Sequence, residues 1–244
     1  MRRPALRAAL AIPVAGFWAL ARPAFSAPSS PVAWTLRTVR AVAKGNPARG
    51  KTLNKDCADC HGAEGTIDTP DVPNLAGQSA LYVYKQLRDY KGNHRASSIM
   101  NDAVASLSER DMADLAAFYA SLRPAPLSAA AAHVPAAAAP VRAEAKALAT
   151  VGDGVRMIVA CDACHGERGE GNPGFYGMPS LRGQKFDDLH FELTSFRSGD
   201  RANDVYRVMR DPARRLTDAE IDALASYYSG MPVKTTPAAP SPKP

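Results

Sequence analysis

The chain has 244 residues, 46% of them hydrophobic and only 7% aromatic, with a formal charge of +6. That length allows one large domain or two small ones. Its basic excess lies outside the domain-sized parts: residues 1–26 hold Arg2, Arg3, Arg7 and Arg22 and no acid, residues 45–125 have nine basic and ten acidic side chains, and residues 148–232 have ten and thirteen, so neither part offers a basic face for nucleic acid.

The chain opens with a basic stretch, MRRPALR, and a fourteen-residue apolar run, AALAIPVAGFWALA. The run is shorter than the ~20 residues that span a bilayer. Ala24 and Ser26 then stand at −3 and −1 for cleavage after Ser26, with an earlier site at Ala19 and Ala21. Residues 1–26 read as a secretory signal peptide, with an uncleaved anchor as the alternative, and export places the mature chain in the periplasm. In the arm at 27–44, Val32, Leu36, Val39 and Val42 recur at helical spacing. The arm either packs on a domain or stays disordered.

Beyond residue 44 the chain repeats itself. CADCHG at 57–62 matches CDACHG at 161–166, PNLAGQ at 73–78 matches PSLRGQ at 179–184, and the stretch 100–122 matches 209–231. Three matched blocks in the same order indicate a duplicated unit. Between the copies, residues 126–147 are an Ala/Pro-rich linker without material for a core. The expected organisation is domain 1 at 45–125, domain 2 at 148–232 and a disordered tail at 233–244. Gly50 aligns with Gly154 in this scheme.

Each copy reads as helical. A first helix leads into the cysteine motif, and a Gly/Pro-rich loop follows. A second helix carries Val83, Leu87 and Tyr90, or Phe186, Leu189, Leu193 and Phe196. A third opens at Ser108 or Thr217 with an acid three positions on, the capping-box pattern. Its buried stripe is Met112, Leu115, Tyr119 and Leu122, matched by Ile221, Leu224 and Tyr228. No segment alternates convincingly as a strand. The fold class is all-α, two tandem units.

The repeated motif, Cys57-x-x-Cys60-His61 and Cys161-x-x-Cys164-His165, uses all four cysteines. Residues i, i+3 and i+4 share one side of a helix, so each copy presents two thiols and an imidazole to one flat group. Haem c fits: its vinyl groups take two thioether bonds and its iron takes the histidine. A zinc ribbon would need the two cysteine pairs closer together. A redox dithiol would need one pair and no following histidine. Two covalently bound haem c groups would also supply apolar volume that the few aromatic residues do not.

A sixth iron ligand used in both halves should recur at equivalent places. Met112 aligns with Ile221, Met157 with Leu53, Met178 with Val72 and Met231 with Leu122, which makes the first three apolar filler. His94 aligns with Asp200 and His190 with Tyr84, so both read as surface or ring-edge positions, and His133 lies in the linker. Only Met100 and Met209 match each other, each in the loop before the third helix. Their paired recurrence selects them over plain packing. His/Met ligation saturates the iron and favours its ferrous state, which points to electron carriage rather than catalysis.

These blocks resemble the class I cytochromes c, and among them the dihaem cytochromes of the c4 type. The resemblance covers nearly all of the chain outside signal, arm, linker and tail. It implies a small helical cytochrome fold in each half, with His61 and Met100, then His165 and Met209, on the irons. It also implies that the carbonyls of Pro73 and Pro179 accept from the two histidines, and that Leu75 and Leu181 pack on the haems. The linker is longer and richer in Ala and Pro than the family's, so a fixed haem-to-haem contact does not follow from the resemblance. Arg95 and Arg201 read either as propionate partners or as solvated surface arginines.

Such proteins are periplasmic electron carriers, soluble or peripherally associated with the membrane. The expected partners are redox proteins: a quinol-oxidising complex or dehydrogenase as donor, and a terminal oxidase or similar acceptor. The alternatives are the cytochrome subunit of a larger oxidoreductase complex and a dihaem peroxidase, which would need an open iron and an acid/base residue beside it.

Overall fold

The computed structural model describes residues 30, 32, 34–128, 139–172 and 177–233. The signal-peptide reading at 1–26, the centre of the linker with His133, and the tail from 234 fall outside them.

The arm carries α1 (Leu36–Ala43), and domain 1 is built from five helices: α2 (Pro47–Leu53), α3 (Ala58–His61), α4 (Ala80–Lys91), α5 (Ser98–Ala103) and α6 (Glu109–Ser121). Asn46 caps α2 by accepting from the N–H groups of Ala48 and Arg49 at 3.0 and 3.1 Å. Pro47 follows at the first helical position, where its missing N–H costs nothing. A 3-10 turn at Asn54–Asp56 carries α2 into α3. The core gathers Val83 and Tyr84 of α4 with Met112, Leu115, Phe118 and Tyr119 of α6.

Domain 2 repeats the plan with α7 (Ala139–Thr150), α8 (Asp162–His165), α9 (Phe186–Ser198), α10 (Arg210–Ala213) and α11 (Asp218–Ser229). Leu148, Ile158, Leu189, Ile221, Leu224 and Tyr228 form its core. Both expected capping boxes are present. Asp111 N–H donates to Ser108 Oγ at 3.1 Å and Ser108 N–H to Asp111 Oδ2 at 2.8 Å. Glu220 N–H donates to Thr217 Oγ1 at 3.2 Å and Thr217 N–H to Glu220 Oε2 at 2.8 Å. The all-α class and the tandem architecture hold.

Four local expectations change. Helix α7 runs across the boundary expected at 147/148, because Ala145, Leu148 and Ala149 are buried in the domain 2 core; alanines that read as linker material allow close helix packing here. A short hairpin with two-residue strands, β1 (Gly152–Asp153) against β2 (Ile158–Val159), stands between α7 and the second cysteine motif, where a helix was expected to lead in directly. Met157 in that hairpin is 68% exposed and is therefore no core filler. The arm does dock, through α1 on α6 and α4, with Val32 and Val42 buried, yet Leu36 and Val39 of the same stripe remain exposed.

The domains meet in a polar interface with pseudo-two-fold character. Gln184 brackets Asn74: Asn74 N–H donates to Gln184 Oε1 at 2.9 Å, and Gln184 Nε2 donates to Asn74 O at 2.8 Å. Gln78 brackets Ser180 in the same way, accepting from its N–H at 2.7 Å and donating to its carbonyl at 3.0 Å. Residue i of one loop meets residue j of the other, and the equivalent of i meets the equivalent of j, as in an isologous contact. Lys185 adds a bond to Ile67 O at 3.0 Å.

A charged cluster extends the contact. Glu192 of α9 accepts from Arg95 of domain 1 and from Arg201 of its own domain. Arg201 also donates to Tyr82 and Gln86 of domain 1, both at 3.1 Å, and lies over the Phe196 ring at 4.4 Å. Asp89, fully buried, accepts from Lys85, from Ser30 of the arm and from Asn203 of domain 2. The halves therefore dock in spite of the long linker, because the contact is carried by their own loops and helices. Arg201, 8% exposed, is not a solvated surface arginine.

Candidate functional site

Helices α3 and α8 are each a single turn, with Cys57 and Cys161 at their N-caps. His61 N–H donates to Cys57 O at 2.9 Å, and His165 N–H to Cys161 O at the same distance. The turn puts both thiols of a copy and its imidazole on one side. The glycine that follows each motif is demanded by the backbone: Gly62 has φ 77° and Gly166 φ 86°, a region that suits glycine. A Cβ on Gly62 would stand 2.2 Å from Thr66 O.

Each loop then returns a proline carbonyl to its histidine. His61 Nδ1 lies 3.2 Å from Pro73 O, and His165 Nδ1 lies 2.9 Å from Pro179 O. Both rings are buried, at 8% and 5% exposure. Burial lowers both imidazole pKa values, while the carbonyls pull the other way. A neutral ring whose Nδ1–H is donated to a carbonyl keeps its lone pair on Nε2, the atom that binds metal. His165 Nε2 is buried with no hydrogen-bond partner. Leaving such an atom bare costs about 1–3 kcal/mol, so the site fits an iron that would take it.

None of the four cysteines is paired in a disulfide. Cys57 and Cys161 pack against the two domain cores, and Cys60 is exposed. Pro73 and Pro179 thus stand against the histidines, while Leu75 and Leu181 are half-buried and pack on the domain 1 and domain 2 cores respectively.

Met100 and Met209 lie in short helical turns rather than in open loops. Met100 is the third residue of α5, half-buried, and its N–H donates to Ser97 Oγ at 3.2 Å. Met209 is the N-cap of α10, also half-buried, and its N–H donates to Asp204 Oδ2 at 3.0 Å. Three extra residues separate Arg201 from Met209 compared with Arg95 from Met100. That insertion contains Tyr206 and Arg207, both in the left-handed region at φ 55° and 61°. Of the other candidates, Met112 is buried core, His94 is exposed, and His190 pairs with Asp222 at 3.3 Å.

Several residues beside these sites were not singled out by sequence: Asn74, Gln78, Gln184, Glu192 and Asp89. The glutamines carried a signal, since they close both copies of the repeated block, PNLAGQ and PSLRGQ. Glu192 and Asp89 carried none, because charged residues on a helix ordinarily read as its solvated face.

Two helical domains, each with a one-turn Cys-x-x-Cys-His helix and a carbonyl-oriented buried histidine, define a tandem c-type haem protein. The Cytochrome c family profile matches residues 47–123 and again 151–231. Cytochrome c4 of Pseudomonas aeruginosa is 34% identical over 192 residues, covering 78% of this chain and 91% of that protein. A thiosulfate dehydrogenase electron acceptor of Stutzerimonas stutzeri is 36% identical over 181 residues, covering 74% and 81%. The crystal structure of reduced recombinant cytochrome c4 from Pseudomonas stutzeri superposes with a TM-score of 0.67 at 32% identity, covering 77% of this chain and 99% of that one. The chain belongs to the cytochrome c family, among the dihaem cytochromes of the c4 type. It carries two covalently bound haem c groups and is a single-electron carrier, not an enzyme.

Proposed function

We propose that the protein works in the periplasm, taking electrons one at a time from a quinol-oxidising complex or a dehydrogenase and passing them to a terminal oxidase or similar acceptor. In this reading Cys57 and Cys60, and Cys161 and Cys164, hold the two haems, with His61 and Met100 on one iron and His165 and Met209 on the other. Haem, when bound, supplies reversible one-electron chemistry at its iron. The chain's part is to hold the ligands still. The observation that carries the reading is the pair of buried imidazoles, each fixed through Nδ1 to a proline carbonyl. Such anchoring sets ring orientation and donor strength. The matched methionines support it, because a thioether on the remaining position raises the potential and closes the iron to peroxide or oxygen.

Export rests on the three-part N-terminal pattern. Among the described residues no helix is long and apolar enough to cross a membrane. The test is to reduce the holoprotein, mix it with membranes of the source organism and follow its oxidation with selective oxidase inhibitors. Inhibitor-sensitive oxidation is expected, and failure to be oxidised by any membrane fraction would contradict the oxidase-donor reading.

A second reading is favoured by the similarity to thiosulfate dehydrogenase electron acceptors: the chain serves one dehydrogenase, as its dedicated acceptor or as a subunit beside it. Co-purification with a catalytic subunit, and reduction by that subunit faster than by a quinol-oxidising complex, would distinguish it from a general carrier.

A further inference from the structure

The peptide unit between Pro73 and Asn74 is engaged at both ends. Its carbonyl oxygen faces His61 Nδ1 at 3.2 Å, and its N–H donates to Gln184 Oε1 at 2.9 Å. The unit between Pro179 and Ser180 is engaged in the same manner, by His165 Nδ1 at 2.9 Å and by Gln78 Oε1 at 2.7 Å. In both cases the glutamine comes from the opposite domain. Asn74, Gln78 and Gln184 are all buried, where hydrogen bonds are electrostatically stronger and polarise one another along a chain.

An amide that donates through its N–H carries more negative charge on its carbonyl oxygen and accepts more strongly there. The stronger that acceptor, the more the imidazole Nδ1–H is drawn toward it and the more electron density Nε2 offers a metal. A more strongly donating imidazole stabilises ferric over ferrous iron. The bracket is made across the domain boundary, so docking of the two halves enters the potential of each.

We propose that Gln184 is a positioning residue for the haem of domain 1, and Gln78 for the haem of domain 2. Each sets, from the other domain, the strength of the bond that holds the axial imidazole. This rests on the assignment of His61 and His165 as iron ligands. The role is distinct from gluing the domains together, which Lys185, Glu192, Arg201, Asn203 and Asp89 also do. It predicts a crossed pattern, in which a change in one domain is read at the haem of the other.

The test uses full-length holoprotein carrying Gln184→Ala or Gln78→Ala, with Gln184→Met and Gln78→Met as variants of similar length that lack the amide. Redox titration is followed by nuclear magnetic resonance, with the haem methyl signals assigned by domain. Gln184→Ala is expected to raise the reduced-to-oxidised ratio of the domain 1 haem about three- to tenfold at a fixed potential, which is about 30–60 mV at 59 mV per tenfold for one electron. In the reduced protein it also moves the His61 ring N–H resonance upfield, and the domain 2 haem stays where it was. Gln78→Ala gives the mirror image at His165, and both Met variants behave like their Ala counterparts. Equal shifts at both haems, a shift at the haem of the mutated domain, no shift at all, or a potential change without movement of the ring N–H would each overturn the proposal. A wild-type spectrum without two low-spin, histidine-ligated haems would overturn the ligand assignment beneath it.

Discussion

Replacing Gly50 by alanine drives a methyl group into the crossing of α2 and α6. A Cβ there would lie 2.1 Å from Asp114 O, 2.6 Å from Asp114 C and 2.7 Å from Phe118 Cβ. Two of those atoms are backbone, so no rotamer relieves the contact. To reach ordinary van der Waals separation α2 must retreat from α6 by ~1 Å or more. The retreat stretches Asn46 N–H to Asp114 Oδ1, now 2.7 Å, and the Arg49 bonds to Asp111 and Asp114. Overpacking of this kind costs about 1–3 kcal/mol, and stretching a hydrogen bond to a buried carboxylate adds about 1 kcal/mol. Exchanging glycine for alanine inside a helix returns about 1 kcal/mol. The net expectation is a loss of roughly 1–3 kcal/mol, confined to domain 1. Gly154 is the built-in control, since a Cβ there meets nothing within 4 Å, and Gly154→Ala should stay within about 0.5 kcal/mol of wild type. Denaturant unfolding of both holoprotein variants, followed by far-ultraviolet circular dichroism, measures the difference. Wild-type stability in Gly50→Ala, or an equal loss in Gly154→Ala, would refute the reasoning.

Other predictions concern the interface. Glu192 is half-buried; desolvation alone would raise its pKa, but Arg201 and Arg95 outweigh that and hold it below the ordinary value. Glu192→Ala leaves both guanidiniums without this partner, a change that costs about 3–5 kcal/mol in buried pairs, and small-angle scattering should show the domains separating; an unchanged profile would count against the cluster as a fastener. Asp188 has its pKa pushed up to about 7, by burial first and by neighbouring Glu192 second. A raised carboxyl pKa means that the folded state holds the proton more tightly. Its contribution is therefore favourable below pH 4 and is lost as pH rises to about 7, by at most ~4 kcal/mol at 1.36 kcal/mol per unit. Asp188→Asn should flatten that part of the stability–pH profile, and a profile as steep as wild type would exclude Asp188 as its source.

Legibility in the sequence followed the reach of each interaction. Contacts between residues a few positions apart left clear marks: Ser108 with Asp111 and Thr217 with Glu220 spell their capping boxes, and each Cys-x-x-Cys-His turn spells its own geometry. The duplication extended that reach, because Met100 and Met209 stand out only when the copies are laid together. It also misled, since Gly50 and Gly154 align while one lies under α6 and the other in an open hairpin turn. Helix α7 was hidden because Ala145 and Ala149 bury closely without large side chains, and alanine-rich sequence is equally the mark of a linker. The interface was the least legible part. Asn74 and Gln184 are 110 positions apart, and nothing local to either tells that one side chain brackets the other's backbone. The long linker gave no ground for a fixed contact between the halves, whereas buried amides and the Glu192 and Asp89 clusters dock them.

The proposed histidine and methionine ligation of both haems is tested most directly by the far-red iron–sulfur absorption band of the oxidised holoprotein. Wild type should show the band with the intensity of two haems, Met100→Ala and Met209→Ala should each lose about half of it, and the double variant should lose it entirely. Persistence of the full band in both single variants would contradict the account.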